Sequence, residues 1–284
     1  MHASSRRSDR TRASSSESRA ADGGEFARKA SAVGSSRAPR SSCLPLADVG
    51  TASSTTPEPV ALSWSGGKDS SLALAVLRAD PRYEVVALFT SVTSGYDRIS
   101  IHGVRRALLD AQVAALGLPL FEIVLEPNCT NDAYEAAFVD TLARLNAEHP
   151  SVRHIAFGDL YLADVRAYRE KLLARTGHTG LFPLWGSDTA SLALDFITAG
   201  YRAHLVCVDT QQLAASFAGR EFDMALLADL PVTADPCGEG GEFHTFVSAG
   251  PIFDKPIGVT VGDVVLRDER FAFCDLLPAD ILVP

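Results

Sequence analysis

The 284-residue sequence has few cysteines, a minority of basic side chains and no long apolar segment, and each shortage excludes a class of protein. Its five cysteines are widely spaced and form no C-x-x-C pair, which favours reduced thiols in a cytoplasmic protein over disulfides or a zinc site. No run approaches the ~18 consecutive apolar residues of a membrane-spanning helix. With 26 basic and 35 acidic side chains, the net charge of −9 argues against binding of duplex nucleic acid. We therefore expect a cytoplasmic protein that binds neither a membrane nor duplex nucleic acid.

The charge is unevenly distributed along the chain. Residues 1–59 carry nine Lys or Arg, six Asp or Glu, fourteen Ser and a single aromatic residue, Phe26. Because this segment has almost nothing to bury, it cannot offset the entropy lost on ordering, and we predict that it is disordered. Residues 60–284 carry 17 basic and 29 acidic side chains, a net charge of about −12. The acidic excess therefore belongs to the part of the chain that is expected to fold.

Apolar runs and segments with helical periodicity alternate over residues 60–208. Strands are predicted at residues 60–65, 84–91, 120–125, 152–158 and 203–208, and helices at residues 69–80, 103–116, 131–148, 162–175 and 188–199. Such alternation predicts βαβ units, and hence an α/β fold with a doubly wound parallel sheet.

The pattern changes after Pro231. A glycine-rich break at residues 238–241 is followed by two apolar segments, 257–266 and 270–277, which predict an antiparallel pair. The predicted organisation is a disordered tail, a main α/β domain and a smaller C-terminal α+β region, at residues 1–59, 60–230 and 231–284 respectively.

The motif SGGKDS lies at residues 65–70, where the first predicted strand runs into the first predicted helix. Gly66 and Gly67 can adopt positive φ, which lets backbone N–H groups converge on an anion. The start of the following helix attracts negative charge. Further donors are available from the side chains of Ser65, Lys68, Ser70 and Ser71. The motif therefore predicts a site for phosphate or pyrophosphate.

Two better-known phosphate loops do not fit this motif. A Walker A loop requires Gly where the chain has Leu62 and a hydroxyl where it has Asp69. The Gly-x-Gly-x-x-Gly fingerprint of dinucleotide-binding folds is also absent from the sequence.

A second motif, DPCGEGGEFHTFV, occupies residues 235–247 and is followed by GPIF at residues 250–253. Two carboxylates, Glu239 and Glu242, accompany His244 beside three glycines. Such a set can bind a cation, a polar substrate or a nucleophile that needs a base. The alternative is a glycine-rich hairpin with a solvated acidic face.

The SGGKDS loop resembles the PP-loop of the ATP pyrophosphatase (adenine nucleotide α-hydrolase-like) superfamily. The second motif is similar to the GE(N/G)GEF-x-T signature of the diphthine–ammonia ligase family, and the resemblance covers most of residues 60–284. The segment FGDLYLADVRAYR at residues 157–169 looks like the bacterial branch of that family.

The resemblance implies a nucleotide-binding α/β domain and a smaller substrate-handling region. It implies a ligase that uses ATP to adenylylate a substrate carboxylate, releases pyrophosphate and amidates the acyl group with ammonia. The implied cofactors are ATP and the Mg²⁺ that the nucleotide carries. The implied partners are ammonia and a carboxylate on a small molecule or a modified protein side chain. Independently of the resemblance, we expect a homodimer.

The resemblance and the positions of residues at strand ends together select candidate site residues. The catalytic candidates are Lys68, Asp159, Glu239, Glu242 and His244. The candidates for binding the nucleotide are Ser65, Gly66, Gly67, Lys68, Asp69, Ser70, Ser71, Leu88, Phe89, Thr90 and His102. The candidates for binding the substrate are Arg166, Arg169, Trp185 and Thr245. We recognise no cluster of metal ligands, and we expect Cys237 to be structural.

Several of these residues have ordinary structural alternatives. Asp69, His102 and Asp159 could form hydrogen bonds at helix starts. Arg166 and Arg169 could form surface salt bridges. Trp185 could pack in the core.

Two other functions remain open. The first is tRNA thiolation by another PP-loop enzyme, which usually needs a cysteine pair or an iron–sulfur site and a basic surface, and residues 60–284 offer neither. The second is a regulator that senses ATP or AMP without catalysis. Lys68 and the acidic second motif argue against such a sensor.

Overall fold

The computed structural model of the protein describes residues 56–95, 98 and 103–279. No helix within these ranges is long and apolar enough to cross a membrane. The tail predicted to be disordered falls outside the described residues except at residues 56–59, and so does the candidate nucleotide-binding residue His102.

Five parallel strands form the larger sheet. The strands are β1 (Glu58–Ser63), β2 (Tyr83–Thr93), β3 (Leu120–Leu125), β4 (His154–Ala156) and β5 (Thr179–Leu181). The helices that follow them in the chain are α1 (Lys68–Ala79), α2 (Arg106–Leu116), α3 (Asn131–Glu148), α4 (Ala163–Ala174) and α5 (Thr189–Thr198). The strand order is β3-β2-β1-β4-β5, and every neighbouring pair is parallel. The predicted doubly wound parallel sheet is confirmed.

Alternating side chains along β1 divide the core of this sheet into two layers. Val60 and Leu62 pack in one layer with apolar side chains of α1 and α2, whereas Ala61 packs in the other layer with α3 and α4. A strand covered on both faces needs apolar side chains at successive positions, which explains why this strand reads as a continuous apolar run.

Local signals in the sequence set several helix ends. Thr130 caps α3, because its hydroxyl accepts a hydrogen bond of 3.2 Å from the amide of Ala133. Gly117 ends α2 in the left-handed region, with φ of 66°. The carboxylate of Asp188 caps α5 by accepting a hydrogen bond of 2.9 Å from Ser191.

Four antiparallel strands form a second sheet. They are β6 (Arg202–Asp209), β7 (Phe243–Ala249), β8 (Val259–Arg267) and β9 (Phe271–Pro278), in the order β7-β6-β9-β8. A 3₁₀ turn (Ala215–Phe217) and α6 (Met224–Asp229) lie between β6 and β7. The predicted antiparallel pair near the C-terminus is confirmed as the β8–β9 hairpin, whose turn places Asp268 and Glu269 at φ of 50° and 52°.

The place of β6 differs from the expectation that it extends the parallel alternation. It pairs antiparallel with β7 and β9, so the second sheet begins at Arg202 rather than after residue 230. An apolar run such as that of β6 is compatible with a parallel or an antiparallel sheet, and the strand that pairs with it determines which sheet it joins. That partner, β7, begins inside the glycine-rich motif, where the sequence analysis predicted no strand.

Candidate active site

The SGGKDS loop and the segment that contains Asp159 lie side by side at the carboxyl ends of β1 and β4. The strand order reverses between β1 and β4. Open α/β sheets bind ligands in the crevice at such a reversal. The SGGKDS loop follows β1, and Gly158 with Asp159 follows β4. The approach is close, because a Cβ atom on Gly158 would lie 2.8 Å from the carbonyl carbon of Asp69.

The two glycines of the loop allow the second motif to pack against its backbone. Gly66 has φ of 76°, and its carbonyl accepts a hydrogen bond of 2.9 Å from the amide of Val247 on β7. A Cβ atom on Gly67 would lie 2.9 Å from the carbonyl oxygen of Thr245. A side chain at Gly67 would push the loop away from β7, whereas the Cβ atom of a side chain at Gly66 would lie 2.7 Å from Oε1 of Gln112.

The serine hydroxyls brace the loop from within. Ser65 Oγ accepts a hydrogen bond of 3.2 Å from the amide of Gly67. The hydroxyls of Ser70 and Ser71 both donate to the carbonyl of Gly67, at 3.0 and 2.9 Å. The loop is thus held in shape at the start of α1, where the helix dipole favours an anion.

Lys68 is buried at this loop and remains charged. Its side chain is 2% exposed, and Nζ lies 2.6 Å from Oδ1 of Asp69. Burial lowers the pKa of Lys68, but attraction to the carboxylate of Asp69, which also accepts a hydrogen bond from Nζ, outweighs burial and leaves the pKa above its usual value. The loop therefore contains a fixed positive charge beside the helix start.

The second motif contacts the loop through Thr245. Thr245 Oγ1 accepts a hydrogen bond of 3.0 Å from the amide of Lys68. Thr245 is predicted from the sequence to bind the substrate, and in the structure its hydroxyl contacts the phosphate loop. Binding of substrate by this residue stays a prediction.

Asp235 fixes the shape of the glycine-rich segment. Its Oδ1 accepts hydrogen bonds from the amides of Cys237 (2.7 Å) and Glu239 (3.4 Å), and its Oδ2 accepts one from the hydroxyl of Thr189 (2.8 Å). Asp235 is not among the residues predicted from the sequence, although an Asp at the start of a glycine-rich turn is a usual acceptor for the amides that follow.

The titratable side chains of the second motif have unusual environments. Burial and the negative charge of Asp69 raise the pKa of Glu239 to about 8. Burial and the positive charge of Lys68 lower the pKa of His244 to about 4, so its imidazole is neutral at pH 7. Glu242 is 4% exposed. Glu239 and His244, whose pKa values are shifted, are suited to proton transfer, so the catalytic roles of these two residues stay predictions with physical support. The catalytic role of Glu242 also stays a prediction.

Asp159 and Arg169 form an ion pair at the carboxyl end of β4. Nε of Arg169 lies 2.6 Å from Oδ2 of Asp159, and the two side chains are 20% and 18% exposed. The guanidinium also lies over the ring of Phe157, 4.2 Å from its centroid. The pair brings an anchored cation to the rim of the site.

The structural alternative applies to Arg166. Its Nε donates to Glu170 at 2.8 Å, and its guanidinium lies 4.6 and 4.7 Å from the ring centroids of Phe182 and Trp185. Trp185 is half-buried in this stack. Binding of substrate by Arg166 and Trp185 stays a prediction.

Leu88, Phe89 and Thr90 lie inside the sheet. All three are buried in the middle of β2, and Phe89 packs edge-to-face against Phe138 and Phe157 at centroid distances of 5.9 and 6.0 Å. Their side chains are therefore core residues, and contact of this segment with a nucleotide stays a prediction.

The carboxyl end of β2 lies at Thr93, later than the sequence pattern suggests. An open cleft is found there, beside the end of β3. It is lined by Val92, Thr93, Ser94, Gly95, Arg98, Arg106, Glu122 and Val124.

A buried glutamine joins the parts of the site. Gln112 on α2 donates from Nε2 to the carbonyls of Gly66 (3.0 Å) and Val247 (2.7 Å). Its Oε1 accepts from the indole N–H of Trp64 at 3.0 Å. Sequence reasoning missed it, although its helical spacing from Leu108 places it on the apolar face of α2.

Replacing Gln112 with Leu should raise the KM for ATP and lower stability. The change leaves the indole N–H of Trp64 and the carbonyl of Val247 buried without this partner, which costs roughly 2–5 kcal/mol of unfolding free energy. Thermal unfolding and ATP titration measure the two effects. The control is Thr141→Val, which removes a buried hydroxyl that donates to Glu122 in the opposite core layer. An unchanged KM in Gln112→Leu would contradict a role in positioning the loop.

Comparisons with known proteins agree with the two motifs. The family model for the diphthamide synthase N-terminal domain matches residues 59–179, and the model for the diphthamide synthase C-terminal domain matches residues 188–275. A diphthine–ammonia ligase of Schizosaccharomyces pombe is 27% identical over 218 residues, which is 71% of this chain and 36% of the relative. One from Danio rerio is 27% identical over 230 residues, 73% of this chain and 89% of the relative.

The two relatives differ in the share of their own length that this chain matches. The chain spans about a third of the fission-yeast protein and most of the zebrafish protein. The two family models together account for most of the chain and cover both motifs. The protein therefore belongs to the diphthine–ammonia ligase (diphthamide synthase) family of PP-loop ATP pyrophosphatases.

Proposed function

We propose that the protein is an ATP-dependent ligase that adenylylates a carboxylate, releases AMP and pyrophosphate, and joins ammonia to the acyl group. Diphthine, a modified histidine of translation elongation factor 2, is the first acceptor to consider, because both relatives are named for it. One observation carries the proposal: the phosphate loop and the acidic motif are hydrogen-bonded to each other, from Lys68 to Thr245 at 3.0 Å. Nucleotide and acceptor chemistry would thus meet in one site.

The loop is suited to hold the pyrophosphate end of ATP. Negative charge builds on pyrophosphate as its bond to the adenylyl group breaks, and Lys68 together with the start of α1 would stabilise that charge. The two glycines leave room for backbone amides to approach the phosphates. Asp69, which is 31% exposed, is the carboxylate of the loop best able to contact Mg²⁺ carried by the nucleotide.

The residues around the loop supply the remaining functions. Arg169, fixed by Asp159, would orient an anionic substrate group. Neutral His244 would donate or accept a hydrogen bond without adding charge. Glu239 would take up a proton, because a carboxyl pKa of about 8 allows both protonation states near neutral pH.

The state of Cys237 argues against sulfur transfer. Its Sγ donates to the carbonyl of Thr189 at 3.2 Å, and burial raises the pKa of the thiol to about 12. A thiol held in its protonated form is a poor nucleophile.

The products of the reaction test the proposal. With ATP, Mg²⁺, ammonium and elongation factor 2 that carries unamidated diphthine, we expect one AMP and one pyrophosphate for each amide formed. Formation of ADP and phosphate in the same ratio would refute an adenylyl intermediate. If elongation factor 2 is not a substrate, ATP–pyrophosphate exchange across other carboxylates would identify the acceptor expected for a member of the bacterial branch.

A further inference from the structure

A buried carboxylate oxygen in the second motif has no hydrogen-bond partner among the described residues. Glu242 is 4% exposed, and its Oε1 accepts a hydrogen bond of 2.9 Å from the amide of Asp235. Its Oε2 is buried and accepts none from the described part of the chain. This oxygen lies beside the glycine-rich turn, 3.1 Å from the position of a Cβ atom on Gly240. A buried carboxylate oxygen without a donor is unfavourable, which points to a ligand that donates.

The surroundings of this oxygen are negatively charged. Asp235, Glu239 and Glu242 all belong to this turn, and burial together with their negative charges raises the pKa of the Tyr161 phenol. The cation at the neighbouring loop, Lys68, is paired with its own neighbour in the chain. The missing donor should therefore carry a positive charge.

The arrangement favours a cation held by hydrogen bonds over a coordinated metal. In the ranges that the structure describes, no three His, Cys, Asp or Glu side chains are placed to hold a metal ion. Both oxygens of Asp235 already accept hydrogen bonds from the protein, which leaves Glu242 and Glu239 as acceptors. Two separated acceptors suit an ion whose own N–H groups make the contacts.

We propose that the turn formed by residues 235–242 binds an ammonium ion, with Glu242 Oε2 and the carboxylate of Glu239 as its acceptors. The proposal rests on the proposed function, because ammonium is the source of the nitrogen that the ligase adds. It places the nitrogen donor beside the phosphate loop, where the acyl-adenylate would form.

The proposed site also provides for the proton that ammonium must lose. The carboxylate of Glu239 takes one proton, and the nitrogen lone pair forms the C–N bond with the acyl carbon. The C–O bond to AMP breaks, and its electron pair leaves with AMP. A second proton leaves the nitrogen to solvent, which gives the neutral amide.

Thermal unfolding of the full chain tests the site without any acceptor. In about 100 mM ammonium chloride, we expect wild-type Tm to lie about 2–4 °C above its value in sodium or tetramethylammonium chloride, because a ligand of the folded state stabilises it. Glu242→Gln should abolish the difference, since the amide still accepts from Asp235 but presents an NH₂ group where Oε2 was. Glu239→Gln should reduce it. The control, Glu221→Gln, removes a carboxylate paired with Arg202 and should keep it.

Kinetics with two nucleophiles tests the same site during turnover. Hydroxylamine is uncharged near neutral pH, so it does not need a cation site. In Glu242→Gln we expect the KM for ammonium to rise at least about tenfold, while turnover with hydroxylamine falls by less than about threefold. An equal loss with both nucleophiles, or no ammonium-specific shift of wild-type Tm, would overturn the site. Absence of pyrophosphate release with either nucleophile would instead refute the proposed function, and the Tm result would still decide whether ammonium binds.

Discussion

Replacing Lys68 with Ala should lower the rate of ATP–pyrophosphate exchange by about 10²–10³-fold, the usual effect of removing a preorganised charge from a reacting group. The side chain is 2% exposed and its pKa lies above the usual value, so it supplies a full positive charge that water cannot replace. The exchange assay measures this step directly, because it follows return of labelled pyrophosphate into ATP before ammonia is needed.

Two further measurements make the Lys68 result specific. Lys171→Ala, which removes an exposed lysine from α4, should leave exchange unchanged. Thermal unfolding of Lys68→Ala should show a folded protein with altered stability, because Asp69 loses its partner. If Lys68→Ala kept wild-type exchange, the loop would not hold the leaving group. If wild type bound ATP or AMP but showed no exchange with any carboxylate, the chain would be a sensor.

The parts of the fold that depend on neighbours in the chain were predictable from the sequence. The apolar run at β3 and the helical periodicity of α3 are local, and the predicted ranges, 120–125 and 131–148, agree with the observed ones. The sheet to which β6 belongs was not predictable in this way. Its partner β7 starts at Phe243, inside a motif whose glycines favour a loop, and only packing over a long sequence separation makes that segment a strand.

The features of the site likewise fall into those that were predictable from local sequence and those that depend on contacts between distant segments. The SGGKDS loop was predictable because glycine, lysine and hydroxyl residues at a strand–helix junction have few other uses. The contacts of Thr245 and Gln112 with that loop were not, because each side chain crosses from another element to the loop backbone. A polar residue on an otherwise apolar face can be recognised in a sequence, but the groups with which it forms hydrogen bonds are determined only by the tertiary fold.

Gly158→Ala should damage the site strongly although it adds only a methyl group. The new Cβ atom would lie 2.8 and 2.9 Å from the carbonyl carbon and oxygen of Asp69, so the start of α1 and the end of β4 must move apart. Backbone shifts of this kind cost about 1–3 kcal/mol of stability. Because displacement of a reacting group by ~1 Å can lower the rate ~10²-fold, we expect a loss of that order in kcat/KM for ATP.

Gly180→Ala on β5 is the matched control for Gly158→Ala. Neither glycine has positive φ, so both substitutions test space alone. The Cβ atom at residue 180 would meet the ring of Phe182 at 2.8 Å, and a side chain can rotate away where a backbone cannot. Gly180→Ala should therefore lose less stability and keep its kcat/KM for ATP. Equal losses of kcat/KM in the two variants would show that the parallel sheet as a whole, and not the contact of β4 with the phosphate loop, controls the reaction with ATP.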